Sequence, residues 1–278
     1  MKITSRSFVW MIYVFALLSG VLIWLGWPTI GIFPLLWIGF VPLLFAISEL
    51  FKTHLRWKAL HLFLLVFVAH MAWIGLSLKW LHTTSPKTYF IAILLESTSL
   101  ALAIVPLAFM RLRSNNFFAG LYFLTAFLMV EYINQHWMAG TPYFVLGSGY
   151  GMNPEMIQFY AFSGVEGGTF FTLLANVFIW IVITNGIKRE PVKRPLFGVV
   201  IAILPFILSP ILFKKDLQDD PKIKAAVLHT YIETYSEESH KEPSLLINNL
   251  WDQSEKWDLS DLELLVWPET IISNLGWV

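Results

Sequence analysis

Seven separate stretches of this chain are apolar over roughly the twenty residues that a helix needs to cross a hydrocarbon layer. That constraint restricts the fold to helices packed side by side, because backbone polar groups in a bilayer must be paired within the protein. The stretches run over Phe8–Leu25, Ile30–Ile47, Leu60–Leu78, Tyr89–Met110, Phe117–Ile133, Met156–Thr184 and Leu196–Phe213. Lys2 and Arg6 precede the first, but no small-residue cleavage site follows it, so it reads as a retained anchor rather than a signal peptide. With 56% hydrophobic and 14% charged residues, the chain belongs to the membrane class.

Loop charges orient the spans. Lys2 and Arg6, then Lys52, Arg56 and Lys58, then Arg111 and Arg113, then Lys188, Arg189, Lys193 and Arg194 fall on one side if the spans alternate, while the opposite short loops hold only Lys79 and Lys87. Basic residues in short loops favour the cytoplasmic side. An odd number of crossings then places everything after Phe213 outside the cytoplasm. The net charge of zero gives no support to nucleic-acid binding, and zero cysteines exclude disulfides, thiolate metal sites and thiol catalysis within this chain.

Composition changes at Lys214-Lys215-Asp216-Leu217-Gln218-Asp219-Asp220-Pro221, a charged linker. Residues 1–213 therefore read as a helical membrane domain, 214–221 as the linker and 222–278 as the start of an α/β domain. In the last part Ile223–Leu228 predicts a short, fully buried strand. Ser244–Lys256 carries Leu245, Leu246, Leu250 and Trp251 at helical spacing, and Glu263–Trp267 predicts a second buried strand ended by Pro268.

The candidate catalytic residue is Glu269, directly after that strand. Strand C-termini form the ligand-binding rim of open α/β layers, and a carboxylate partly buried beneath Trp267 suits a general base working near neutral pH. An ordinary loop glutamate beyond a Trp-Pro turn fits the spacing as well. Within the spans stand His70, Glu96, Glu131 and Glu166. Intramembrane ionisable groups are functional candidates by default, yet Glu131 and Glu166 lie near span ends, where reaching the interface is the cheaper explanation, and His70 reads as structural. Gly140–Gly151, rich in glycine and aromatics, predicts either a re-entrant or interfacial loop shaping a lipid-facing cavity or an ordinary connector. His229, His240 and the other histidines lack metal-ligand spacing, so neither metal nor cofactor is expected.

Four stretches resemble the bacterial apolipoprotein N-acyltransferases. They are Gly26-Trp27-Pro28 with Phe33-Pro34-Leu35-Leu36-Trp37-Ile38 and Val41-Pro42-Leu43-Leu44; Glu131-Tyr132 with Gly140-Thr141-Pro142-Tyr143; Ile157-Gln158-Phe159-Tyr160-Ala161 through Gly164-Val165-Glu166-Gly167-Gly168-Thr169-Phe170-Phe171 and Asn176; and Val266-Trp267-Pro268-Glu269-Thr270. The resemblance implies a multi-pass protein of the bacterial inner membrane carrying a nitrilase-like α-β-β-α domain on the periplasmic side. It also implies an acyltransferase with a Glu-Lys-Cys triad, in which a thiolate takes an acyl chain from a phospholipid and passes it to the amine of a diacylglyceryl-cysteine apolipoprotein. By match, Glu269 is the triad glutamate. The lysine and cysteine would lie beyond Val278, so the chain is expected to be the front part of the enzyme and inactive alone.

There are departures from the family pattern. Leu228-His229-Thr230-Tyr231-Ile232 stands where the family usually shows V-Q-x-N-I, and no clear aromatic follows at the expected place in the substrate-lining arm, Tyr235 being a candidate substitute. The alternatives are a non-catalytic multi-helix membrane protein and another membrane-bound nitrilase-type amidase or acyltransferase.

Overall fold

The computed structural model describes residues 6–110, 115–137, 144–212, 223–227, 248, 251–252 and 262–266. Eight α-helices are described: α1 (Arg6–Gly26), α2 (Val41–Lys52), α3 (Lys58–Ser77), α4 (Lys79–Thr84), α5 (Pro86–Ile104), α6 (Asn116–His136), α7 (Tyr160–Lys188) and α8 (Lys193–Leu212). Among the described residues, seven helical segments are long and apolar enough to cross a membrane. The short α4, which periodicity did not suggest, caps the α3–α5 hairpin.

Local chemistry fixes the helix ends. Pro86 opens α5, where a missing N–H is harmless. The Asn115 side chain accepts from the Phe117 N–H at 2.9 Å and caps α6. Arg189 ends α7 in the left-handed conformation, its N–H returning to the Asn185 and Gly186 carbonyls.

The second predicted span is not one continuous helix. A 3-10 turn at Phe33–Trp37 leads through Ile38, Gly39 and Phe40 into α2. This break packs inside the bundle: the Ser19 hydroxyl on α1 donates to the Gly39 carbonyl at 2.5 Å, and a Cβ on Gly39 would stand 2.6 Å from Ile23. Gly20 lets α1 and α3 approach closely, since a Cβ there would lie 2.2 Å from the Ala69 carbonyl oxygen. Trp73, Phe40 and Phe123 fill the centre, with Phe40 meeting Phe127 edge-on at 5.2 Å.

The sixth predicted span, Met156–Thr184, is also divided. A 3-10 turn occupies Pro154–Met156, α7 starts at Tyr160, and Gly164 interrupts it at φ 68°, ψ −179°. Glycine adopts that backbone without steric penalty.

The chain separates into two compact units, Met1–Phe213 and Lys214–Val278. In the second, β1 (Ala225–Val227) pairs in parallel with β2 (Leu264–Val266), Ala226 opposite Leu265. Parallel pairing requires a crossover between the strands, and residues 248, 251 and 252 within it are helical. The expected full burial of these strands is corrected: both have an exposed-intermediate-exposed pattern, and Val227 is 74% exposed. Their apolar content specifies a surface that favours cover, while no described residue covers these faces.

Candidate functional site

The widely separated sequence features of the membrane unit meet around the segment Leu146–Tyr150, a buried 3-10 turn between α6 and α7. Glu131 on α6 holds its start: the carboxylate accepts from the Leu146 N–H at 2.6 Å. One residue on, the Gly147 N–H donates to the Thr169 hydroxyl of α7 at 2.9 Å, and the Tyr160 hydroxyl donates to the Gly147 carbonyl at 2.7 Å. Tyr150 and Thr172 share a hydrogen bond of 2.7 Å between their hydroxyls. Burial holds the Tyr150 phenol well above its ordinary pKa, so it remains a neutral hydroxyl.

Glycine makes this packing sterically feasible. A Cβ on Gly147 would stand 2.1 Å from the Val165 carbonyl oxygen, and one on Gly168 would stand 1.8 Å from the Tyr160 hydroxyl. The turn after Asn153 is tied to α8 by Ser209, whose hydroxyl accepts from the Gln158 N–H and, at 3.4 Å, from the Phe159 N–H.

A second polar junction joins α7 to the break before α2. The Asn176 side-chain oxygen accepts from the Phe40 N–H at 2.7 Å, while its amide nitrogen donates to the carbonyls of Leu36 at 2.8 Å and Thr172 at 2.9 Å. A side-chain amide presents an acceptor oxygen and a two-hydrogen donor nitrogen side by side, which matches one N–H and two carbonyls here.

These contacts correct one expectation: Glu131 does not reach the interface; it is 6% exposed and pairs inside the protein. In the described part of Gly140–Gly151, Val145, Leu146, Gly147, Gly149 and Tyr150 are buried, while Ser148 and Gly151 are exposed. Protein groups satisfy the backbone of its 3-10 turn. Residues 140–143 lie outside the described residues.

The remaining intramembrane candidates separate from one another. Glu96 is buried on α5 and accepts from the Asn134 side-chain amide at 2.5 Å, a partnership with no signature in the sequence. Glu166 is half-buried in the first turn after the Gly164 kink, where a carboxylate complements the helix N-terminus. Its Oε2 would lie 2.5 Å from a Cβ on Gly164, so the side chain folds back over that glycine. His70 is buried edge-on to Trp73 at 5.2 Å and Phe127 at 6.3 Å. Thr169, Tyr160 and Ser209 carry the junctions but had no individual signal. Glu269, His229, His240, Tyr231 and Tyr235 lie outside the described residues.

Residues 19–178 match the family model for the apolipoprotein N-acyltransferase N-terminal domain. An apolipoprotein N-acyltransferase of Geobacter metallireducens (strain ATCC 53774 / DSM 7210 / GS-15) is 30% identical over 206 residues, covering 71% of this chain and 38% of the relative. Another, from Chlorobaculum tepidum (strain ATCC 49652 / DSM 12025 / NBRC 103806 / TLS), is 24% identical over 275 residues, covering 92% of this chain and 48% of the relative. The chain thus spans less than half the length of these curated relatives. The family match takes in more than half of the chain and contains the Glu131, Gly147, Thr169 and Asn176 junctions, and this chain belongs to the apolipoprotein N-acyltransferase family.

Proposed function

We propose that this chain supplies the membrane domain and the first catalytic segment of an enzyme that moves an acyl chain from a phospholipid to the N-terminal amine of a diacylglyceryl-cysteine lipoprotein. In this reading residues 1–213 form the membrane domain of a multi-pass inner-membrane protein. Residues 214–221 are the linker, and 222–278 begin a nitrilase-like domain on the periplasmic side. The phospholipid and the lipidated apolipoprotein are its partners.

The observation that carries the reading is the parallel pairing of β1 with β2. Glu269 follows the last residue of β2, Val266, by three positions in the chain. In open α/β layers the ends of parallel strands are where reacting groups collect.

Glu269 then acts as the general base. It takes the proton from a cysteine thiol; the thiolate attacks the ester carbonyl, forming a thioester and releasing lysophospholipid. The lipoprotein amine next attacks that thioester, an amide forms, and the thiol is restored. The thiol comes from outside this sequence, which has no cysteine.

The test joins this chain at Val278 to the remaining C-terminal portion of the Chlorobaculum tepidum relative, whose alignment covers 275 residues. With labelled phospholipid the chimera is expected to form a hydroxylamine-sensitive acyl-enzyme and to acylate a diacylglyceryl-cysteine peptide. Glu269→Gln is expected to slow acylation by about 10²–10⁴-fold, the usual contribution of a positioned base. Full activity of the Glu269→Gln chimera would remove Glu269 from the mechanism. The 278-residue chain alone is expected to form no such adduct.

A further inference from the structure

An apolar groove of about 280 Å³ opens between α6, α7 and α8, at the end of the bundle where the α7–α8 turn lies. It is lined by Phe117 and Leu121 of α6, Val177 and Phe178 of α7, and Gly198 and Ile201 of α8. Its depth depends on two close approaches: Gly120 of α6 packs on Val177, and Gly198 of α8 packs on Phe178, where a Cβ would meet the ring at 2.5 Å. The Asn116 amide donates to the Thr184 hydroxyl at 3.0 Å and fixes the level of α6 against α7.

A second cavity, of about 810 Å³, lies in the turn itself and is lined by Asn185, Glu190, Lys193 and Arg194 among others. The two cavities are aligned by helix geometry. Arg194, Gly198 and Ile201 fall at i, i+4 and i+7 of α8, hence on one face. The first step corresponds to about 6 Å along the axis. Arg194 therefore stands about one helical turn from the groove-lining Gly198 on the same face, with Lys193 next to it in the chain, and both basic residues are exposed. The whole turn holds Lys188, Arg189, Lys193 and Arg194 against the single acid Glu190.

We propose that this pair of cavities binds one anionic phospholipid from the leaflet on the side of the basic loops, with an acyl chain in the groove and its phosphate at Lys193 and Arg194. The groove is slightly smaller than the usual ligand cleft of about 300–1,000 Å³, and its apolar lining suits a lipid tail. A partner helix, about 10 Å across with its side chains, does not fit it. Charge selects the headgroup, because basic side chains at a membrane surface attract anionic lipids. Glu190, on the same cavity, opposes the phosphate and limits the affinity.

The test is native mass spectrometry of the full 278-residue chain in detergent, titrated with dioleoyl phosphatidylglycerol or dioleoyl phosphatidylcholine. The expected result is preferential retention of one phosphatidylglycerol. Lys193→Gln with Arg194→Gln is expected to weaken phosphatidylglycerol roughly fivefold per charge removed and to leave phosphatidylcholine unchanged. Glu190→Gln is expected to strengthen phosphatidylglycerol. Leu121→Trp and Ile201→Trp, on α6 and α8 at positions 42% and 44% exposed, fill the groove without entering the core, and each is expected to reduce both lipids. Lys52→Gln with Arg56→Gln, at another basic loop, is expected to change nothing. Equal retention of the two lipids, an unchanged ratio in the Lys193/Arg194 variant, an equal loss in the Lys52/Arg56 variant, or undiminished binding in both tryptophan variants would each overturn the site.

Discussion

Glu131 accepts a hydrogen bond from the backbone N–H of Leu146 at 2.6 Å, joining α6 to a buried 3-10 turn fifteen residues further along the chain. A buried N–H with no partner is costly, and no lipid can supply one. The carboxylate therefore works here as an anchor for the turn, a role that Gln can share and Ala cannot.

Glu131→Ala is accordingly expected to destabilise the membrane unit by about 1–3 kcal/mol, the usual penalty for stranding a buried donor. Glu131→Gln keeps an acceptor oxygen and is expected to recover most of that loss. Unfolding of the two variants in mixed detergent micelles measures the difference; equal destabilisation would mean that the carboxylate's charge, not its acceptor, holds the turn.

Gly147 is a sharper steric constraint. A methyl there would meet the backbone oxygen of Val165 at 2.1 Å and the Thr169 nitrogen at 3.0 Å, so the turn must move away from α7. Gly147→Ala is expected to cost about 1–3 kcal/mol through overpacking and to loosen the Tyr160 and Thr169 hydrogen bonds, seen as faster amide exchange at Gly147. Gly186→Ala, where nothing lies within 4 Å of the added carbon, is the comparison and is expected to be neutral or slightly stabilising. Equal losses would sink the steric argument.

Span number was legible because length and apolarity suffice to identify a crossing helix. The interruptions were less legible. Ile38, Gly39 and Phe40 are as apolar as the helices around them, so Ile30–Ile47 read as one span, although the backbone breaks there and α2 runs on to Lys52. Glu131 stands near the end of its predicted span, which favours the interface; its partner is a main-chain N–H, and a main-chain group leaves no trace in residue type. Glu96 was equally opaque, since Asn134 reads as an ordinary polar residue near a helix end. Strand positions followed from β-type composition, but burial did not, because composition states what a face favours and not what stands over it.

Seven described helical segments long and apolar enough to cross a membrane, and the bias of basic residues in alternate loops, carry a topological prediction. Reporters fused after Arg113 and after Asp219 are expected to lie in opposite compartments, with the Arg113 fusion cytoplasmic. Moving the bias, by Arg111→Glu with Arg113→Glu, is expected to lower the fraction of correctly oriented chains. Identical compartments for the two fusions would require an even number of crossings between them and would overturn the membrane topology.

Asn176 gives the most specific stability prediction, because it serves the two ends of one backbone break. Phe40, just before α2, has an N–H without a partner in a preceding turn, and the Leu36 carbonyl stands at the end of the 3-10 segment. Helix ends leave such groups unpaired by construction, and within a membrane span the remedy must come from protein. Asn176 supplies acceptor and donor from α7 at 2.7 and 2.8 Å. Asn176→Leu strands both, and at about 1–3 kcal/mol for each buried group it is expected to be the most destabilising of these variants. Asn176→Asp keeps the acceptor for Phe40 but replaces the donor with a second oxygen facing the Leu36 carbonyl, so it is expected to recover little. Thermal unfolding in detergent orders the series, and amide exchange at Phe40 reports the local break. A wild-type melting temperature in Asn176→Leu, or slow exchange at Phe40 in that variant, would show that the break closes by other means.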